Sequence, residues 1–295
     1  MKATDFKGII PPMMTAFTED GEIYEKGTRE IVDFILPHVQ GLYPCGTYGS
    51  GPMMSIAERK KAAKIIIDQV NGRVPVIVHV GTADTKNTVE LARHAEAMGA
   101  QAVGAITPYY NSYSEDAIFV HFQRLIHAVT IPVFLYNNPK TSGNPVSPNL
   151  LVRLAREGLG GVKDSSFDII NYYHSQMALK EFPELNLIIG TEALLVAAFD
   201  AGAQAAVTGL GNVYPELVRK LYDVYLEGDR QKLMQIQNDV LEVRQITKFG
   251  PTLPTCHAIL KLRGIDCGYP RLPFTPVPAE TEKRVKEALQ KKGLL

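Results

Sequence analysis

The chain contains no tryptophan and only three cysteines in 295 residues. Cys45, Cys256 and Cys267 form no C-x-x-C pair and are odd in number, which argues against a disulfide-built scaffold and for a reduced, cytoplasmic protein. Long hydrophobic runs are also missing: the longest, around Val74 to Val80, falls far short of the ~20 residues that span a bilayer. The opening segment MKATDFKGIIPPMMTAFTEDG is interrupted by Pro11 and Pro12 and runs into acidic residues without a small-residue cleavage site, so no signal peptide is expected. Lysine plus arginine equals aspartate plus glutamate, 31 of each. A chain without net charge has no global field for nucleic acid or an anionic membrane. The seven histidines contain neither H-x-x-x-H nor H-E-x-x-H, so no metal or other cofactor is expected, and His79, inside an apolar run, reads as a hydrogen-bonded core residue.

The hydrophobic fraction is 45% and the charged fraction 21%, the composition of a soluble globular protein. Short runs dense in valine, isoleucine and glycine recur near Ile9, Gly41, Val74, Ala102, Ile131, Gly160, Leu185 and Ala205. Being apolar throughout, they suit strands buried on both faces of a parallel sheet. Helical patterns lie between them, such as SIAERKKAAKIIIDQV from Ser55 and NTVELARHAEAMGA from Asn87, with Ser55 and Asn87 as candidate N-caps and Gly99 as a stop. Strand followed by helix, eight times at ~20–35-residue spacing, predicts an α/β fold, a (β/α)8 TIM barrel over residues 1–228. Residues 229–295 are mainly helical in pattern and are expected to form a C-terminal helical extension. A Rossmann sheet would need a glycine-rich first turn that is not there.

In such a barrel the chemistry sits where the strands end. The expected exits carry Thr15, the turn Gly46-Thr47-Tyr48-Gly49, Tyr109-Tyr110, Tyr136-Asn137, Lys163-Asp164, Gly190, and Gly209 with Gly211. Lys163 stands apart because it ends the apolar run GLGGV, whereas most other lysines lie on charged helical faces. A lysine nucleophile must fall from ~10.4 to ~7–8, about 3–5 kcal/mol of desolvation, which a dry barrel mouth can supply. An ion pair with Asp164 is the alternative. Tyr136 suits a proton relay beside an imine or simple core packing. The Gly46–Gly49 turn would offer backbone N–H groups to a carboxylate, or be only a turn. The loop Gly209-Leu210-Gly211-Asn212 lies where many barrels hold phosphate, or merely gives backbone room.

In order, IIPPMMTAFTEDGEI, CGTYGSG, TPYYN, YNNP, GVKDSS, GNVYP and GYPRLP resemble the dihydrodipicolinate synthase/N-acetylneuraminate lyase family of class I Schiff-base aldolases over nearly the whole chain. The resemblance implies that Lys163 forms an imine with pyruvate and that Tyr136 shuttles protons. It implies further that Gly46, Thr47 and Tyr48 bind the pyruvate carboxylate, and that Thr47, Tyr136 and Tyr110 form a hydroxyl relay with Tyr110 supplied by a neighbouring subunit. Val207 would offer its carbonyl to substrate, and the assembly would be a homo-oligomer, a dimer or tetramer. The chain departs from the family pattern at Tyr48 and Ser50, where threonine and glutamate are usual. Thr141 stands where a synthase carries its clamping arginine, and Thr191-Glu192-Ala193 keeps only one acid of the pair that lyases place after Gly190. These departures, with GPMMS and GYPRLP, point to a lyase acting on a 2-keto-3-deoxy sugar acid, pyruvate and an aldehyde being its small-molecule partners. With Thr141 and Ser142 in place of the arginine, the distal half of the substrate is expected to be neutral and hydroxylated. Alternatives are 4-hydroxy-tetrahydrodipicolinate synthase with aspartate semialdehyde, N-acetylneuraminate lyase, a dehydratase on the same imine, and a pyruvate-binding sensor without turnover.

Overall fold

The computed structural model describes residues 1–295. Its strands are β1 (Gly8–Ile9), β2 (Ile77–His79), β3 (Ala102–Ile106), β4 (Val133–Asn137), β5 (Gly161–Asp164), β6 (Asn186–Ile189) and β7 (Ala205–Ala206). They form one curled, parallel sheet in the order β1-β7-β6-β5-β4-β3-β2. Every residue of β3, β4 and β5 is buried, as a sheet covered on both faces requires.

The run at Gly41 is not a strand. It is reduced to a bridge between Leu42 and Val76. Pro11, Pro44 and Pro75 lie in this segment and its neighbours and lack the N–H that a continuous ladder needs. The bonds that survive run to both sides: Gln40 N and Tyr43 N donate to Ile9 O and Pro11 O, while Ile77 N and His79 N donate to Leu42 O and Pro44 O, all at 2.9–3.0 Å.

Helices Thr85–Ala97, Glu115–Ile126, Pro148–Arg156, Ile169–Ala178 and Leu195–Asp200 connect successive strands from β2 to β7, and Pro215–Glu227 follows β7. Ser55 caps helix Ile56–Val70 through a reciprocal capping box with Glu58. The cap of the next helix is Asp84 and not Asn87: the Asp84 carboxylate takes the Asn87 N–H at 2.9 Å, which makes Asn87 the third helical residue. Gly99, at φ +89°, follows that helix's end. Three further helices, Arg230–Ile246, Thr252–Leu262 and Ala279–Lys291, complete the chain. No helix is long and apolar enough to cross a membrane. All three cysteines are buried and unpaired.

Strand alternation divides the apolar residues into two clusters. The larger, of 66 buried residues, packs helices against the outer face of the sheet. The smaller, with Phe6, Ile10, Tyr43, Ile77, Phe134 and Ile188, fills the inner face. Phe6 meets Phe134 edge to face at 5.5 Å, and a Cβ on Gly161 would lie 2.3 Å from the Phe134 ring. Glycine there admits the ring. The interior is therefore filled below the level of Tyr136 and Lys163, which pair in register across β4 and β5.

Candidate active site

Lys163 and Tyr136 are two residues beyond Gly161 and Phe134, so alternation turns both to the inner face at the C-terminal end of the sheet. The Lys163 ammonium nitrogen is enclosed by two rings, 3.8 Å from the Tyr136 centroid and 4.3 Å from that of Tyr43. Burial lowers its pKa, against an opposing hydrogen bond and charge interaction with Tyr136. Asp164 faces the other way. Its carboxylate accepts from Asn137 Nδ2 at 2.9 Å and from the Ser166 N–H and hydroxyl at 3.1 and 2.9 Å, so the ion-pair alternative for Lys163 is not what the fold builds.

Burial by itself would raise the Tyr136 phenol, but Lys163 and hydrogen bonds with Thr47, Asn138 and Ser165 outweigh it and lower the pKa. Asn138 Nδ2 donates to the phenol oxygen at 2.9 Å. His79 is buried beside this pair, its ring 5.9 Å from that of Tyr136. Its Nε2 accepts the Ile106 N–H at 3.2 Å and Nδ1 lies 3.2 Å from Cys45 O, which describes a neutral core imidazole. Burial, then the nearby cations Arg59 and Lys163, hold its pKa well below the usual value. No group of three histidine, cysteine or acidic side chains is placed to hold a metal ion.

Above Lys163 opens a cavity of about 290 Å³. Thr47, Tyr48, Tyr136, Gly190 and Val207 line it, as the sequence led one to expect; Gly46 does not, although it opens the same turn. The turn is fixed by Gly51 N donating to Gly46 O at 3.0 Å and Thr15 Oγ1 donating to Gly49 O at 2.9 Å. The amides of residues 46–49 themselves donate to no acceptor in the protein. Val207 N donates to Ile189 O at 2.8 Å while its carbonyl accepts nothing. A Cβ on Gly190 would fall 1.9 Å from Ser165 Oγ, and one on Gly209 would fall 2.2 Å from the Tyr48 hydroxyl. Both glycines are required by what packs on them. The Gly209–Asn212 loop is tied to the chain's first segment by Asn212, which accepts from Met14 N at 2.9 Å and donates to Pro12 O and Gly209 O at 3.2 and 3.1 Å.

Two expected positions lie away from the cavity. Thr141 is exposed on the short helix Pro139–Ser142 and is not part of the lining, whereas its neighbour Lys140 is. Ser142 is buried, its hydroxyl donating to Asn138 O and Asn144 O at 3.2 and 3.3 Å. Neither hydroxyl is presented to a ligand, which removes the basis for a neutral distal half. Tyr110 is 95% exposed at φ +81°, outside the cavity of its own chain.

Several residues of the site escaped sequence reading. Tyr43, packed against Lys163 beneath the cavity and not in its lining, precedes the glycine turn by three positions, within the run near Gly41 expected to be a strand. Asn138 and Ser165 follow Tyr136 and Lys163 by two residues, the period that returns a side chain to the same face, and that spacing was a usable signal. Arg244, Thr247, Lys248 and Thr252 come from the C-terminal helical region and carry no motif. Arg244 pairs with Glu192 at 2.8 Å, both largely buried.

A family model, the dihydrodipicolinate synthetase family, matches residues 5–292. An uncharacterized DapA-like lyase of Halobacterium salinarum is 36% identical over 290 residues, covering 98% of this chain and 94% of the relative. The 4-hydroxy-tetrahydrodipicolinate synthase of Methanopyrus kandleri is 32% identical, with 98% and 97% covered. Among solved structures, YagE of Escherichia coli K12, a dihydrodipicolinic acid synthase family protein in complex with pyruvate, superposes with a TM-score of 0.94 at 28% identity, covering 98% of this chain and 99% of that one. CdNal of Clostridium difficile in complex with mannosamine gives 0.92 at 26% identity, covering 97% and 99%. With the match running almost from end to end, the chain belongs to the dihydrodipicolinate synthetase family, whose members are pyruvate-dependent lyases.

Proposed function

We propose that this protein is a class I lyase that forms an imine between Lys163 and a 2-keto acid and makes or breaks a carbon–carbon bond between pyruvate and an aldehyde. The observation that carries the reading is the Lys163 amine, buried between two phenol rings at the floor of the cavity and lowered in pKa by that burial. Lowering the pKa raises the share of the unprotonated amine, the form that can attack the C2 carbonyl and expel water. Tyr136, hydrogen-bonded to the lysine nitrogen, gives its proton to the imine and is left as phenolate; the resulting iminium is an electron sink, so in a 4-hydroxy-2-keto acid the C3–C4 pair moves into it, the phenolate takes the C4 hydroxyl proton, and the aldehyde leaves a neutral enamine. Protonation at C3 and hydrolysis then release pyruvate and regenerate the amine. The free amides of residues 46–49 suit the substrate carboxylate, and the Val207 carbonyl suits a substrate hydroxyl.

The bonds from residues 40–44 to both sheet edges favour an eight-stave barrel over residues 1–228, with 229–295 as its helical extension. Tyr110, exposed and outside its own cavity, suits a relay completed between subunits of a dimer or tetramer. The first substrate reading is a 2-keto-3-deoxy sugar acid, cleaved to pyruvate and an aldehyde. Lys140, lining the cavity beside the position of a synthase arginine, favours aspartate semialdehyde as the second. The test is borohydride reduction in the presence of pyruvate. One reduced pyruvyl group on Lys163 is expected; a label on Lys140 or Lys248, or none, overturns the assignment. Pyruvate release from 2-keto-3-deoxy acids, assayed beside synthase turnover, separates the two substrate readings.

A further inference from the structure

Tyr48 stands apart from the other side chains that line the cavity. Its ring leaves the Gly46–Gly49 turn and crosses to the exit of β7, where a Cβ on Gly209 would fall 2.2 Å from its hydroxyl oxygen and 2.4 Å from the carbon that bears it. Both ends of that span are tied to one segment of chain: Thr15 Oγ1 donates to Gly49 O at 2.9 Å, and Asn212 reaches Pro12 O and Met14 N at 3.2 and 2.9 Å. The phenol is therefore held in place before any ligand arrives. Its hydroxyl makes no hydrogen bond within the protein and, unlike the sealed hydroxyl of Tyr43, is open to the cavity. Burial, then Cys256 and Glu192, raise its pKa well above the ordinary phenol value, with Arg244 opposing. Those charged neighbours pair with each other at 2.8 Å and pull the phenol in opposite directions. Tyr136, in the same cavity, is lowered instead. Two phenols pushed apart in this way divide the work: Tyr136 moves a proton, and Tyr48 remains a neutral donor. At the same strand exit, two residues before Gly209, the Val207 carbonyl is a free acceptor. A free neutral donor beside a free acceptor matches a group that both accepts and donates, which is an alcohol; a carboxylate would meet the carbonyl oxygen with its own lone pairs.

We propose that Tyr48 selects the aldehyde half of the substrate, its hydroxyl donating to an alcohol oxygen beyond C4 while that alcohol donates to Val207 O. This rests on the imine reading, which places the 2-keto end at Lys163 and gives the C4 hydroxyl to Tyr136. It makes the substrate a polyhydroxylated 2-keto acid and rebuilds a neutral distal half on groups other than Thr141 and Ser142. A substrate without that alcohol leaves the phenol and the carbonyl both unmatched in a closed site, which is the situation in which a missing hydroxyl discriminates most strongly. Tyr48 thus acts on the choice of substrate and Tyr136 on the bond that breaks.

The experiment compares 2-oxo acids of one chain length: 4-hydroxy-2-oxohexanoate and its 5-hydroxy and 6-hydroxy derivatives, with concentrations counted as the open-chain form. In Lys163→Ala, where no imine forms, calorimetry is expected to show at least one derivative binding about tenfold or more tightly than the parent acid, a ratio unmoved by salt. Adding Tyr48→Phe, which keeps the ring over Gly209 and removes the hydroxyl, should bring that ratio close to one. With Lys163 intact, the same preference should appear in kcat/KM for pyruvate release and collapse in Tyr48→Phe. Equal binding of the parent and both derivatives, or a preference that survives Tyr48→Phe, overturns the proposal. So does a loss of Lys163 labelling by pyruvate and borohydride in Tyr48→Phe as large as its loss of turnover on the preferred acid, because pyruvate has no distal half and the hydroxyl would then be serving the carboxylate. Absence of any label in the wild type would instead overturn the imine reading, while the calorimetry still decides whether Tyr48 reads an alcohol.

Discussion

Replacing Tyr136 by phenylalanine separates the two steps the site is built to join. The phenol oxygen accepts from Asn138 at 2.9 Å and shares hydrogen bonds with Thr47, Ser165 and Lys163. Removing it leaves the buried Asn138 amide without that acceptor, at a cost of about 1–3 kcal/mol and a Tm lower by several degrees. Burial depresses the Lys163 pKa and Tyr136 opposes the depression, so without the phenol the amine should titrate still lower. At neutral pH more of it is then unprotonated, and trapping of pyruvate by borohydride should persist, with the pH dependence of trapping displaced downward. Carbon–carbon cleavage, which needs the phenolate to take the C4 hydroxyl proton, should fall by ~10²–10⁴ in kcat, or about 2.7–5.4 kcal/mol of barrier. The assay is a pair of measurements on one preparation: mass-spectrometric stoichiometry of the reduced adduct across pH, and pyruvate release from a 4-hydroxy-2-keto acid. Turnover within tenfold of wild type would return Tyr136 to a packing role. Loss of the adduct together with turnover would place the phenol in imine formation instead.

Tyr43 offers the complementary test, since its hydroxyl is buried with no hydrogen-bond partner while its ring faces the Lys163 amine. Tyr43→Phe should leave stability equal or higher, and Tyr43→Leu, which removes a ring attraction of ~0.5–2 kcal/mol, should move the trapping profile to lower pH. Identical profiles for both variants would show that the ring has no influence on the amine. Gly190→Ala places a methyl 1.9 Å from Ser165 Oγ and 2.8 Å from Asp164 O, and should destabilise by about 1–3 kcal/mol and raise KM; thermal denaturation and steady-state kinetics check it. Ser55→Ala should cost about 0.5–2 kcal/mol in urea denaturation by breaking the capping box. Burial would raise the Glu58 pKa, but bonds from Arg271 and Ser55 win and lower it. Its contribution is therefore present above the unfolded carboxyl pKa and lost as pH falls through the folded one, so the cost of Ser55→Ala should shrink in acid.

What the sequence made legible follows the strength of local signals. Lys163 was visible because an isolated lysine at the end of an apolar run is unusual, and Tyr136 because it ends a similar run. The resemblance supplied Val207, whose backbone carbonyl has no side-chain signature. The run expected to be a strand at Gly41 lies between the two sheet edges but keeps only one bridge, because composition does not register that the prolines at 11, 44 and 75 remove N–H groups along the same seam. Asn87 was taken for a cap because the helical pattern begins there, although Asp84, three residues earlier, holds the amide that needs capping. Thr141 and Lys140 differ by one residue in sequence and by which of them meets the cavity in space. Arg244 and Lys248 were out of reach, since no periodicity shows that a helix starting at Arg230 leans over strand ends laid down some hundred residues earlier.

The pairing of β1 with β7 has a consequence for how the protein acquires its activity. Gly8 meets Ala205 and Ile9 meets Ala206, and Asn212 reaches back to Met14 across 198 residues of chain. Joining ends about 200 residues apart costs roughly 2 kcal/mol more in loop-closure entropy than joining neighbours about 30 residues apart. Contacts of such high sequence separation form late and slow the overall rate. The cavity draws Pro12 from one side of this seam and Val207 and Gly209 from the other. During refolding, helical signal should therefore return well before the capacity to bind a keto acid, and on a ribosome the site has to wait until nearly the whole chain has emerged.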